Sequence, residues 1–380
     1  MDASNTLSVR VGSVIDLVVD RLSYLILVAI LKRLAKRVRY IKTFEDLDRE
    51  LDEAAVLAKT SDAAFREKLQ GLCYVCQPEP NQDTDPLSMD YRAAQLRLYE
   101  RIAGKPYAVS NEHTDFNFDE ALRWPFPYAS RSANLVGDYL ISYGHFIKSM
   151  QLPAQAKVLE VGSGYGPLTL HLASMGYQMT CLDISRPLLD YVQARTRSLP
   201  TPVHTICGDM TSVEIPGTFD TIIFYESFHH CLDHVQMLKR VPMLLNPGGL
   251  LAFAAEPIVP DHSEIVPYPW GLRMDGLSIW SIRRWGWLEL GFQQGYFQKL
   301  LENLGWSVAR RNLMNTGLTD VWLASRDGSD QRVQPVPALS ESLTQLQSEV
   351  TQLRNLVHGY EKGRVMRLLR WLQRKTRNHF

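Results

Sequence analysis

The stretch Lys157-Val-Leu-Glu160-Val-Gly162-Ser163-Gly164-Tyr-Gly166 decides the reading of this 380-residue chain. Val158 to Val161 is a short, largely apolar run, the composition of a buried strand. Three glycines at alternate positions follow it. Glycine lets the backbone come close to a ligand, and a helix opening there offers unpaired N–H groups. A glycine-rich turn alone is common to many nucleotide folds, so its neighbours must decide.

Downstream, short apolar runs alternate with helical stretches. They lie at Gln178–Leu182, Val203–Cys207, Thr221–Phe224 and Leu250–Ala254, the last after the turn Asn246-Pro-Gly-Gly249. Trp306–Arg310 and Asp320–Ala324 supply two late strands. Strands separated by helical segments imply βαβ units and a parallel sheet. Asp183 ends the second strand, 21 residues after Gly162, where a carboxylate can accept hydrogen bonds from a ribose diol. Gly208-Asp209-Met210 ends the third, where an acid can meet an adenine amino group. Phe219-Asp220 enters the fourth. The third glycine falls two residues after the second, not three, which tells against a dinucleotide pyrophosphate site.

As a set, E-x-G-x-G-x-G at Glu160–Gly166, Asp183, G-D-M at Gly208–Met210 and N-P-G-G at Asn246–Gly249 resemble the class I S-adenosylmethionine-dependent methyltransferases. The resemblance covers about residues 150–325. It implies an α/β, Rossmann-like sheet, mostly parallel with the last strand antiparallel, and S-adenosyl-L-methionine as cofactor. It gives Gly162, Ser163 and Gly164 the methionine moiety, with Glu160 and Gly166 in the same cofactor-binding set. Asp183 would hold the ribose and Ile184 the adenine face. Asp209 and Met210 would hold the adenine edge, and Tyr225 would stand near the methyl donor.

Tyr225-Glu226-Ser-Phe-His229-His230-Cys-Leu-Asp233-His234 follows the fourth strand at the carboxyl edge of the sheet, where ligand sites lie. A hydroxyl acceptor must lose its proton as it is methylated, and a histidine near neutral pKa suits that task. His229 and His230 are the candidate bases, with Glu226 as orienter or alternative base. Glu256, ending the fifth strand, is a second candidate. One of two adjacent histidines ordinarily points away, and His234 can simply cap a helix. Some methyltransferases resemble this segment with E-x-x-E-H and a divalent ion. His229 stands where the second acid would be, so no metal is expected.

Residues 256–292 form a long excursion holding four of the eight tryptophans within 18 residues. Aromatic faces pack against sugar rings, and arginines clamp anions. Trp270, Arg273, Arg283 and Trp285 are the candidate acceptor-binding residues. A hydrophobic cap or a dimer surface is the competing use of such a segment.

The flanks complete the organisation. Residues 1–105 read as helical, with helices expected over Phe44–Gln70 and 89–103 and a proline-rich loop at 77–88. Residues 106–150 lead into the domain at 151–327, and 328–338 read as a linker. Residues 339–380 read as a coiled coil and a basic amphipathic helix. Leu339, Leu343, Leu346, Val350, Leu353, Val357 and Tyr360 form a heptad seam, the mark of a homo-oligomer or partner contact. The basic tail has the make-up of a helix on an anionic membrane surface, though a protein or RNA contact would look similar. It also resembles tails on bacterial envelope-polysaccharide enzymes, which points to a glycan or lipid-linked glycan acceptor.

Hydrophobic residues at 45% and charged residues at 22% exclude a disordered, collagenous or polytopic membrane chain. Lys+Arg 41 balances Asp+Glu 41, which argues against a nucleic-acid partner. The apolar run at residues 22–31 is too short to span a bilayer, which takes about 20 residues. It fits a buried helix or an interfacial one beside Lys32–Lys42. No secretory signal is expected at Met1–Val11. Five scattered cysteines, including the Cys73-x-x-Cys76 pair, favour a reducing, cytoplasmic setting, and the basic tail would hold the chain at the inner membrane face. The expected function is sugar O-methylation. Methylation of a small lipophilic acceptor such as a quinone or lipid, and a non-catalytic scaffold, are the alternatives.

Overall fold

The computed structural model describes residues 38–75, 84–113, 116–312 and 317–334. The apolar run at 22–31, Cys76, most of the proline-rich loop, the heptad seam and the basic tail lie outside them. Residues up to Asp327 form one compact unit, and a second begins at Gly328. Within the latter, Gln331–Val333 makes a single 3-10 turn, with Asp330 accepting from the Arg332 N–H.

The N-terminal region is less purely helical than its composition suggests. Two short strands, β1 (Arg39–Ile41) and β2 (Leu72–Tyr74), pair in parallel around two helices. Cys73 therefore sits on a strand, not on a helix. The helices α1 (Phe44–Ala58) and α2 (Asp62–Leu69) start at Thr43 and Ser61, whose hydroxyls accept from Asp46 and Ala64 N–H groups. That is ordinary N-capping and explains why the expected single helix is split. α1 buries Leu47, Leu51 and Ala54, one face at helical spacing. α3 (Met89–Ala103) runs between the Ser88 cap and the left-handed Gly104, the start and stop expected. α4 (Phe118–Arg123) and the longer α5 (Ala133–Met150) then lead into the domain.

The central sheet is built from β3 (Lys157–Val161), β4 (Gln178–Asp183), β5 (His204–Cys207), β6 (Phe219–Tyr225) and β7 (Leu245–Ala254). The late strands β11 (Ser307–Asn312) and β12 (Asp320–Ser325) complete it. The order is β11-β12-β7-β6-β3-β4-β5. β3 to β7 are mutually parallel, and β12 runs antiparallel to both its neighbours. α6 (Pro167–Ser174), α7 (Arg186–Thr196) and α8 (His234–Leu244) are the crossovers. The chain moves outward from β3 through β5, then returns to β6 on the other side. The carboxyl ends of β3 and β6 therefore border the crevice in which such sheets hold ligands.

One boundary differs from expectation. Asn246-Pro-Gly-Gly249 does not precede the fifth strand but bulges out of it. Between the pairs Phe219–Leu245 and Thr221–Leu250, β7 consumes five residues while β6 consumes two. Gly248, at φ 72°, makes that detour possible.

The excursion after β7 is a small structure of its own. β8 (Ile258–Val259), β9 (Trp270–Leu272) and β10 (Leu290–Gln293) form a three-stranded sheet in the order β8-β10-β9. α9 (Gly276–Arg284) is capped by Asp275, and α10 (Gln294–Asn303) follows β10. Leu47, Leu51, Tyr91 and Tyr99 of the N-terminal region share one apolar core with Leu272, Ile279 and Phe292 of the excursion. The two regions thus brace each other above the sheet edge. No described helix is long and apolar enough to cross a membrane.

Candidate active site

A cavity of about 490 Å³ opens at the carboxyl ends of the central strands. Its first wall is the glycine turn after β3. Gly162, Gly164 and Gly166 have φ of 71°, 50° and 63°, the left-handed region. At Gly162 a Cβ would stand 2.5 Å from the Ser227 Cβ, so only glycine lets the two turns touch. Gly162 and Gly164 line the cavity, whereas Glu160, Ser163 and Gly166 do not. Glu160 is buried beneath the turn and accepts the Thr169 hydroxyl. Burial lifts its pKa to about 8, against the pull of that hydrogen bond, so it carries a proton at neutral pH.

Asp183, at the end of β4, is 8% exposed and lines the cavity. Its oxygens accept the Ser185 and Gly164 N–H groups, each at 2.8 Å. Burial raises its pKa, and those two bonds oppose the rise. One bond per oxygen leaves lone pairs for a diol. Ile184, Leu188 and Met210 give the same region an apolar surface. Asp209 is oriented by the Thr211 N–H and hydroxyl, both at 2.8 Å. This half of the cavity fits an adenosyl group: a fixed carboxylate for the ribose, flat apolar walls, and a close backbone approach.

The other half lies beyond β6. Glu226 lines it with left-handed backbone at φ 51°, an unusual conformation for a side chain that size. Burial raises its pKa to about 7, with the Tyr139 hydroxyl opposing and Glu256 reinforcing. A carboxylate poised there can take a proton near neutral pH. His230 lines the same half, its Nδ1 3.1 Å from Glu112. Burial disfavours its charge, but Glu112 outweighs burial and lifts its pKa to about 9. His230 is therefore a cation at neutral pH, a donor and not a base. Tyr107, Tyr128 and Trp287 supply aromatic surface. The Trp287 indole N–H has no hydrogen-bond partner among the described residues.

The other expected site residues stand elsewhere. His229 is buried away from the cavity, its Nδ1 2.8 Å from Glu256. Burial and the neighbouring His230 charge lower its pKa. Glu256 accepts the N–H groups of Ser227, Phe228 and His229. Burial alone would raise its pKa, but His229 and those N–H groups bring it below the usual range. A carboxylate so engaged has no capacity left as a base. Tyr225 does not line the cavity; its hydroxyl donates to the Ser142 hydroxyl at 2.7 Å. His234 does not cap α8. It is buried against Trp270 and Phe292 with Nε2 2.8 Å from the Tyr296 hydroxyl.

None of the four candidate acceptor residues of the excursion lines the cavity. Trp270 donates to the Pro86 carbonyl, and Arg283 pairs with Asp48 at 2.7 Å. Arg273 pairs with the buried Glu289. Trp285 stacks on Trp287, centroids 4.5 Å apart, and so stands one ring behind the wall. The sequence reading missed Glu112, Tyr107, Tyr128 and Arg92. Arg92 grips Asp233 across the cavity rim at 3.0 and 3.1 Å. For Tyr107, Glu112 and Tyr128 the one sequence signal is a polar, aromatic stretch after Gly104 without helical or strand period, whereas Arg92 lies on the expected helix α3 with no signal of its own. No described group of His, Cys, Asp and Glu is arranged to hold a metal ion.

The model of a methyltransferase domain matches residues 158–249. An uncharacterized methyltransferase of Bacillus mycoides is 30% identical over 148 residues, 37% of this chain and 67% of that protein. The chain belongs to the methyltransferase family. Another methyltransferase, uncharacterized, from Mycobacterium bovis is 33% identical over 113 residues, 30% of this chain and 56% of its own length. The ubiquinone biosynthesis O-methyltransferase of Xanthomonas euvesicatoria is 34% identical over 102 residues, 26% of this chain and 42% of that enzyme. The chain thus spans about half the length of the curated relatives it matches first. Among solved structures, the magnesium protoporphyrin IX methyltransferase of Synechocystis with bound SAH is similar, with a TM-score of 0.40 at 18% identity. That likeness covers 55% of this chain and 94% of that one. For a methyltransferase domain of this kind, S-adenosyl-L-methionine is the expected cofactor.

Proposed function

We propose that this methyltransferase transfers the methyl group of S-adenosyl-L-methionine to a sugar hydroxyl on a glycan or lipid-linked glycan. The observation that carries this reading is the placement of Glu226 in the same cavity as Asp183 and the glycine turn. When bound, the cofactor supplies an electrophilic methyl group. Gly162, Gly164 and Asp183 would hold it at one end. Glu226 accepts the proton that the acceptor hydroxyl loses. His230, charged through Glu112, offers an N–H to a neighbouring oxygen of the acceptor. The unpartnered Trp287 N–H offers another, and its ring gives a sugar face something to stack on. Carboxylates at Glu112 and Glu226 disfavour an anionic group at that end. The basic C-terminal segment supports action at a membrane face, near lipid-linked acceptors.

A small lipophilic acceptor is the second reading, favoured by the aromatic walls and by the name of the Xanthomonas relative. The test is transfer of labelled methyl groups into extracted glycan and lipid fractions, with Glu226→Gln as control. Label in the glycan fraction, lost in the variant, is the expected result. Label confined to a free quinone or acyl lipid would establish the second reading instead. Transfer undiminished in Glu226→Gln would remove Glu226 as the base.

A further inference from the structure

We propose that Glu256 is a positioning residue: its carboxylate is the template on which the turn Glu226–His230 is folded, and it thereby aims Glu226 and His230 into the cavity. Three consecutive backbone N–H groups converge on this one side chain. Oε1 accepts from Ser227 and Phe228, both at 2.8 Å, and Oε2 accepts from His229 at 3.1 Å. Successive N–H groups pointing inward make a concavity that calls for an anion, and here the chain supplies its own. Without it, three buried donors would be unsatisfied.

The His229 ring completes the cage. A carboxylate can only accept, so the 2.8 Å contact places the His229 proton on Nδ1. Its Nε2 then faces Glu289 at 3.9 Å, and Glu289 is held by Arg273. Glu256 itself opens the excursion, so the excursion anchors the turn through a residue that does not reach the cavity. On the open side, Glu226 adopts its left-handed backbone immediately before the caged residues, and His230 immediately follows them. Ala255, just before Glu256, is also left-handed at φ 57°. Two strained residues flank one carboxylate, which is how a turn over-determined by its contacts looks.

This inference rests on Glu226 and His230 as working residues, yet its test needs no methyl transfer. The probe is the ring titration of His230, followed by nuclear magnetic resonance on the full-length protein labelled at histidine. Glu112, Glu289, Arg273 and His229 are the charged or titratable groups that act on that ring. In the wild type it should titrate near pH 9. Glu256→Gln turns an amide N–H2 toward two donors, so the turn must shift and His230 must leave Glu112. Its midpoint then falls toward the ordinary 6.5, while cofactor affinity falls less than about tenfold. An unchanged His230 titration in a folded variant would overturn the proposal. Should that variant not fold, amide exchange in the wild type decides. Ser227, Phe228 and His229 should exchange slowly as a set, and rapid exchange at these three would overturn it. With an acceptor in hand, the variant should lose on the order of 10²-fold in kcat at nearly constant KM.

Discussion

The two halves of the cavity are built by different means. The cofactor half is mostly backbone: left-handed glycines, helix-opening N–H groups, and one carboxylate tied by two of them. The acceptor half is mostly side chains, gathered from Tyr107, Glu112, Tyr128, Glu226, His230 and Trp287. The first half can be kept by a short motif and a sheet. The second depends on how three separate segments pack together. Such a division lets one cofactor frame serve many acceptors, because the acceptor wall can change without touching the frame.

Breaking the frame should have the largest effect. Asp183→Ala removes a buried carboxylate that backbone N–H groups already orient. Cofactor affinity measured by calorimetry should fall at least about 10²-fold. Unchanged affinity would mean that the ribose is held elsewhere. The next largest effect belongs to the acceptor half. Glu226→Gln should lower methyl transfer by about 10²–10⁴-fold while leaving cofactor affinity within about threefold. A matching loss of affinity would show that the halves are not separable.

The smallest effects are those of pH. Transfer should rise as Glu226 deprotonates through about pH 7 and decline as His230 loses its proton near pH 9. Glu112→Gln should move the alkaline limb down. The His230 pKa is raised on folding, so its pairing contributes stability fully below pH 6.5, and that contribution is lost as pH rises through 9. The melting temperatures of wild type and Glu112→Gln should therefore differ by several degrees at pH 6 and converge at pH 10. A constant difference would assign Glu112 a purely packing role.

The sequence made the frame legible for a physical reason. Val158–Val161, Thr221–Phe224 and Leu250–Ala254 are buried on both faces, so composition alone marks them. Gly162 and Asp183 work through backbone geometry, which a local motif encodes. β1 and β2 escaped notice because three residues carry no period. The Asn246–Gly249 bulge escaped because a turn signal does not tell whether a strand resumes in register. Tyr225 and Glu256 stand at the expected edge of the sheet, but their side chains are directed by Ser142 and His229, contacts that no local motif encodes. Glu112 could be found only once α3 and the excursion had been packed together.

The stacked pair Trp285 and Trp287 gives the molecule a built-in optical sensor. Trp270, Trp280, Trp306 and Trp322 are buried in the core and set a steady background. Trp287 forms part of the cavity wall, and its stacking partner Trp285 is 44% exposed. An acceptor that displaces water from that wall would change the emission of this pair, over the contribution of the exposed Trp124, which does not line the cavity. Unlabelled protein could then be screened against candidate acceptors by intrinsic fluorescence alone, before any product is identified.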